Sequence, residues 1–353
     1  MRAGNKYLAL IILISVITSG ISYSQKLLPP DYGIYHGAFP DMGAPEDSVT
    51  AERILAFDSL TGNPAIWVYF SNNWFTGISF PQKEADIISS LGKIPFIRMM
   101  PRSAFYEGRQ DPVYTMQKII DGKFDNDLKQ YARETKNFGK PLIIEFGTEV
   151  NGDWFSWNGK YNGGGETEKY GDPDVPDGPE RFRDAYRHII NIFKKENANN
   201  VTWFFHVNND SSPKEDWNTM SAYYPGDDYI DWIGVSAYGA QTPFEEWNSL
   251  TDLLDECYNE LCGISKTKPI GLIEFGVIED PVMGNKAKWI QDALQALRNN
   301  KYPRIKAISY WHSVWKDGKG NSINMRLDSS PGSINTYRRI INDDYFKQKP
   351  IFK

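Results

Sequence analysis

Cysteine and histidine are scarce in this chain, with two and four copies among 353 residues. That scarcity excludes a disulfide-stapled scaffold, and no Cys/His spacing matches a zinc site. Cys257 and Cys262 lie in DECYNELCG, which reads as helix. Residues five apart face different sides of a helix, so the pair reads as two small side chains rather than a bridge. No basic run occurs and the net charge is −6, which argues against nucleic acid or an anionic membrane as partner. No glycine-rich dinucleotide fingerprint follows any strand-like run. The longest apolar run, Tyr7 to Ile17, falls short of the about 20 residues of a membrane span. It follows Arg2 and Lys6 and precedes Ser22-Tyr23-Ser24, the layout of a signal peptide over residues 1–24 cleaved before Gln25, with an uncleaved anchor as the alternative. The mature chain, 25–353, is expected to be secreted or periplasmic.

What the chain has in plenty is aromatic residues, including 11 Trp and 20 Tyr. They fill a core, or they form a surface that stacks on something flat; composition leaves both open. Short β-rich runs alternate with amphipathic segments after Gln25. The runs are 32–39, 64–70, 94–100, 141–149, 201–207, 229–239, 269–277 and 305–313. Most lack a polar face, as expected of strands covered on both sides. Helical patterns include SVTAERILAFDSL, FDNDLKQYARETKNFG and GPERFRDAYRHIINIFKKE, the last opened by a capping box at Asp177 and Glu180. Others run from about Thr242 to Leu261 and over 286–298. Eight such strands alternating with helices predict a single (β/α)8 TIM barrel over 25–353. Asp172, Asp174 and Asp177 lie in a long polar loop, miss the EF-hand spacing and read as solvated.

Catalytic residues of such barrels stand at the carboxyl ends of strands. Read in order, those ends carry Glu149, Tyr238, Glu274 and Trp311. If the fourth run is strand throughout, Glu145, Gly147 and Glu149 share a face. Two carboxyls across a barrel mouth suit glycoside hydrolysis with retention, in which one protonates the leaving oxygen and the other attacks the anomeric carbon. One must hold a proton while its partner stays ionised, so their surroundings must differ. Arg98, near the end of the third strand, is the candidate partner that spares Glu145 an unpaired buried charge. His36, His206 and His312 fall near the mouth, His206 beside Asn208 and Asn209, with no metal-site spacing.

TEVNGDWFSW (148–157) followed by KPIGLIEFG (268–276), with YYPGDDYIDWIGVSAYG (223–239) between them, resembles glycoside hydrolase family 26. The resemblance covers nearly all of the mature chain. It implies Glu149 as acid/base, Glu274 as nucleophile, and Tyr238 as the hydrogen-bond donor that helps hold Glu274 ionised. Trp154, Trp157 and Trp311 become aromatic walls for sugar rings, with Asn151, Thr148 and His206 as further substrate contacts. The chain departs from the family in having Thr148 where His is usual and Glu145 where Arg is frequent. No cofactor or metal is implied. The expected partner is a β-linked polysaccharide or oligosaccharide, hydrolysed by a monomer acting as an endo-β-glycanase. β-1,4-Mannan is the first substrate; mixed-linkage β-1,3-1,4-glucan and β-xylan are the alternatives. A carbohydrate-binding barrel without hydrolysis is the reading from a different class.

Overall fold

A computed structural model describes residues 25–43, 45–105, 108–316 and 320–353. The signal-peptide expectation falls on residues 1–24 and lies outside the described residues. Eight parallel strands form the barrel: β1 (Ile34–Pro40), β2 (Trp67–Asn73), β3 (Ile94–Met100), β4 (Leu142–Phe146), β5 (Val201–Asn208), β6 (Trp232–Tyr238), β7 (Ile270–Gly276) and β8 (Ile305–His312). The sheet closes where β1 pairs with β8, from Tyr35 opposite Ala307 to Pro40 opposite His312. Each strand is buried almost throughout. That double burial explains the continuous apolar runs in the sequence.

The outer helices are α1 (Ala51–Thr61), α2 (Gln82–Ser90), α3 (Asp125–Phe138), α4 (Asp177–Lys195), α5 (Leu250–Ile264), α6 (Lys286–Arg298) and α7 (Pro331–Ile341), with a short helix Met116–Ile120 before α3. Only the 3₁₀ turn Met220–Tyr223 stands between β5 and β6. Two sequence expectations need correcting. The segment from Thr242 is loop, and α5 begins after Ser249 because Ser249 and Asp252 form the reciprocal capping box there. At α4 no side chain caps the N-terminus. Asp177 instead pairs with Arg181 at 3.4 Å, and Glu180 accepts from the Asp172 backbone at 3.0 Å. Cys257 and Cys262 are both free thiols in the continuous helix α5, as their spacing requires.

The barrel interior changes character over one pleat. Low in the barrel, Trp67 of β2 packs edge-on to Phe96 of β3, and Phe96 packs on Phe204 of β5. Gly37 of β1 makes room for them, since a Cβ there would come within 2.0 Å of the Trp67 indole. Two residues on, about 6.6 Å further along each strand, the same positions hold Tyr69, Arg98 and His206. Aromatic packing therefore stops and a ring of polar groups begins just beneath the mouth.

Candidate active site

Strand β4 ends at Phe146, short of the expected Glu149. Gly147 takes φ +64° and Glu149 takes φ +48°, so a left-handed turn rather than strand alternation aims the glutamate. A non-glycine residue there costs of order 1 kcal/mol or more and persists only where its surroundings fix it. Here they do. Trp157 Nε1 donates to the Thr148 carbonyl at 2.7 Å, and Asn158 Nδ2 to the Val150 carbonyl at 2.8 Å. Asn151 clamps the turn to the end of β5, donating to the Asn208 carbonyl and accepting from the Asn208 N–H. Glu149 emerges with one side-chain donor, Trp154 Nε1, at 2.8 Å from Oε2.

Glu274 sits inside β7, where the pairing with β6 slips: Val235 faces Leu272 but Ser236 faces Glu274. The extra residue, Ile273, makes a bulge that turns Glu274 into the interior. Its carboxyl meets three donors. Oε1 lies 3.1 Å from Tyr69 OH and 3.3 Å from the Arg98 guanidinium, while Oε2 accepts from Tyr238 OH at 2.8 Å. Burial pushes Glu274 up to about 7; Arg98 opposes the rise, Glu149 adds to it and His206 opposes it. One oxygen of Glu149, one of Glu274 and a nitrogen of His206 lie within 4.8 Å of one another. Oxygens that approach within 4.8 Å fit the about 5–5.5 Å carboxyl separation of a retaining pair better than the about 6.5 Å or more of an inverting one.

Beneath them lies a connected polar floor. Glu145 accepts from Tyr69 OH at 2.6 Å, and the Arg98 Nε lies 3.6 Å from it, the partner expected from the sequence. His206 Nδ1 lies 3.1 Å from Glu145 Oε1 and 2.6 Å from Thr148 Oγ1, and its Nε2 lies 2.7 Å from Ser236 Oγ. Burial alone would raise Glu145, but His206, Arg98 and Tyr69 together hold it below its ordinary range. Burial likewise disfavours a charged His206, yet Glu145 wins and the imidazole is raised. The two form a buried acid–imidazole pair at 3.0 Å, and Thr148 and Ser236 take up the remaining hydrogen-bonding positions of the ring. Arg98 is held from the other side by Glu46 at 2.7 Å and stacks between the rings of Tyr69 and Trp311 at 5.1 and 5.2 Å.

The carboxyls open onto a cavity of about 950 Å³. Of the residues singled out in the sequence, Glu149, Trp154, Tyr238, Glu274 and Trp311 line it together. Trp157, Asn151, Thr148 and His206 do not line it; each is buried behind or beneath it. Trp157 stacks on Phe155 at 4.4 Å and holds the turn, and Asn151 ties two loops. Two histidines expected at the mouth point away from it. His36 meets Tyr337 of α7, and His312 accepts from the Leu327 N–H. Residues missed in the sequence include Tyr69, Glu46, Phe105, Phe155 and Trp315. Trp315 belongs to a hairpin, Val314–Lys316 against Ser322–Asn324, rising from the end of β8.

This geometry can be set beside known proteins. A sequence model of glycosyl hydrolase family 26 matches residues 112–317. Endoglucanase H of Acetivibrio thermocellus is 28% identical over 333 residues, 94% of this chain and 33% of that protein. Mannan endo-1,4-beta-mannosidase A and B of Caldalkalibacillus mannanilyticus is 27% identical over 184 residues, 52% of this chain and 30% of its own length. The chain thus spans about a third of the length of these curated relatives. Among solved structures, the catalytic domain of the Bacillus sp. JAMB-750 GH26 endo-β-1,4-mannanase superposes with a TM-score of 0.63 at 16% identity, covering 89% of this chain and 87% of that one. At that identity the likeness concerns the fold.

Proposed function

This chain belongs to glycosyl hydrolase family 26, and we propose that it is a retaining endo-β-glycanase whose catalytic carboxyls are Glu149 and Glu274. The observation that carries the proposal is the unequal treatment of two adjacent carboxyls at the floor of one cavity. Glu274 faces three donors, among them a guanidinium, which suits an ionised nucleophile. Glu149 has one neutral donor and a free oxygen toward the cavity, which suits a group that gives and takes a proton. Oε1 of Glu274 is engaged by Tyr69 and Arg98, so Oε2, with Tyr238 alone, keeps a lone pair for attack.

In the first step Oε2 bonds to the anomeric carbon, the C1–O bond breaks, and the Glu149 proton passes to the departing oxygen. In the second, Glu149 removes a proton from water, the water oxygen bonds to C1, and the C1–Oε2 bond returns its electrons to Glu274. Two inversions leave the anomeric configuration unchanged. Endo action is supported by aromatic walls on opposite sides of the pair. Trp154 and Phe155 follow β4, while Trp315 follows β8, its diametric counterpart in the barrel. A polymer can therefore leave the site in both directions.

For the backbone sugar we favour a β-glucan, because the relative matched along 94% of this chain is called an endoglucanase. β-1,4-Mannan, the first expectation from the sequence, is the second reading, supported by the mannosidase that matches 52%. Thr148, fully buried against His206, is not available to read the sugar C2 position. The leader-like pattern in residues 1–24 supports action outside the cytoplasm. The test is reducing-sugar release from mixed-linkage β-glucan, glucomannan, mannan and xylan, with the anomer first formed read by NMR. Release of the α-anomer, or activity undiminished in Glu149→Ala and Glu274→Ala, would sink the assignment.

A further inference from the structure

Tyr69 has one hydroxyl proton and two carboxylates asking for it. Its oxygen lies 2.6 Å from Glu145 Oε1 and 3.1 Å from Glu274 Oε1, with His206 Nδ1 at 3.3 Å. A phenol donates once, so it serves one carboxylate at a time. The ring is fully buried, edge-on to Phe96 at 4.5 Å, so solvent water has no access to relay the bond. Neither acid is orphaned when the proton turns away. Glu145 keeps His206 and Arg98, and Glu274 keeps Arg98 and Tyr238.

We infer that Tyr69 is a positioning residue whose hydroxyl is shared between Glu145, the nearer acceptor, and Glu274 while both are carboxylates, and passes to Glu145 alone once Glu274 is glycosylated. The inference rests on the retaining reading of the site. Bond formation between Oε2 and C1 converts the Glu274 carboxylate into a neutral ester, a weaker acceptor than the carboxylate of Glu145. The phenol then turns to Glu145, which stays ionised beside His206. When water displaces Glu274 from C1, the electron pair returns to the carboxylate and the phenol turns back. Tyr69 therefore stabilises Glu274 as a leaving group in the second step more than it assists Glu274 as a nucleophile in the first. The floor pair Glu145–His206 acts as the resting place for that donor.

The test uses the 25–353 chain and a 2,4-dinitrophenyl β-glycoside of the preferred sugar, whose good leaving group makes breakdown of the glycosyl-enzyme limit kcat while kcat/KM reports its formation. In Tyr69→Phe, kcat is expected to fall about 10- to 100-fold, the loss of one charge-assisted hydrogen bond. kcat/KM should change less than about threefold, and a covalent glycosyl adduct should accumulate in quenched samples by intact mass. Equal losses in kcat and kcat/KM, without adduct, would reduce Tyr69 to a structural part and overturn the inference alone. Should Tyr69→Phe fail to fold, Glu145→Gln decides. With its competitor weakened, Tyr69 stays on Glu274, so kcat/KM falls while kcat holds; parallel losses overturn the inference. Absence of wild-type turnover on both aryl glycoside and polysaccharide removes the retaining reading and this inference with it.

Discussion

At the end of β4 the chain turns through two left-handed residues to present Glu149, whereas within β7 a bulge presents Glu274. The first glutamate stands on a loop clamped by Trp157, Asn158 and Asn151, carries one indole donor and faces the cavity. The second stands on the sheet itself, is almost fully buried and faces a guanidinium and two phenols. Identical side chains thus acquire unlike chemistry from what the backbone brings to them. A loop leaves room for a proton to come and go; a sheet interior supplies fixed donors that reorganise little when charge appears.

The contrast is broken most completely by removing either acid. Glu274→Gln is expected to lose about 10⁴-fold or more on every substrate, because no other group can form the covalent bond. Glu149→Ala should lose about 10²- to 10⁴-fold on polysaccharide and far less in adduct formation from a dinitrophenyl glycoside, whose leaving group needs no proton. Azide added to Glu149→Ala should restore turnover and yield the β-glycosyl azide by NMR, with no such rescue in Glu274→Gln. Rescue of the wrong variant would exchange the two roles.

Next in size come the donors that set Glu274 apart. Arg98→Lys keeps the charge but loses the planar fork that joins Glu46 to Glu274, and about 10²-fold in kcat/KM should follow. Tyr238→Phe removes the one donor on Oε2 and should cost about 10- to 100-fold. The pH profile follows from the same groups. Glu274 is raised to about 7 by burial, and only its ionised form can serve as the proposed nucleophile. The wild-type kcat/KM should therefore fall about tenfold per unit as pH drops below about 7. Tyr238→Phe takes a donor from the ionised form, so its acidic limb should move to higher pH. A limb that stays put or moves down would mean that Glu274 does not control it.

Much of this was legible beforehand. The run at 94–100 is the strand Ile94–Met100 to the residue, and the other seven strands fall within their apolar runs or extend them by one to three residues. A barrel buries every strand on both faces, and burial writes itself into composition. The nearness of Glu149 and Glu274 was legible because each acid closes an apolar run, although Glu149 stands on the turn beyond β4 rather than on the strand. The depth of Trp157, Asn151, Thr148 and His206 was not, because residue type alone does not distinguish a cavity wall from the buttress behind it. Nor was the turn at Glu149, for which Gly147 was the only local signal. Tyr69 left a fainter trace. Tyr69, Arg98, Glu145 and His206 are inward polar residues of four successive strands; Arg98 lies directly opposite Glu145, while Tyr69 pairs with Phe96 and Glu145 with Phe204, two residues before Arg98 and His206. That alignment marks the polar floor.

The smallest effect probes the quieter side of the contrast. Trp154 both lines the cavity and donates its Nε1 proton to Glu149 Oε2. Trp154→Phe keeps an aromatic face for a sugar ring but removes the donor. A neutral donor of this kind is worth about 1 kcal/mol, or about fivefold in rate. The loss should fall on polysaccharide, whose leaving oxygen needs the Glu149 proton, and spare adduct formation from a dinitrophenyl glycoside, whose leaving group needs none. Trp154→Ala adds the loss of the stacking surface and should raise KM for polysaccharide further. Equal losses on the two substrates, or KM alone raised in Trp154→Phe, would make the indole a wall and deny it any part in placing Glu149.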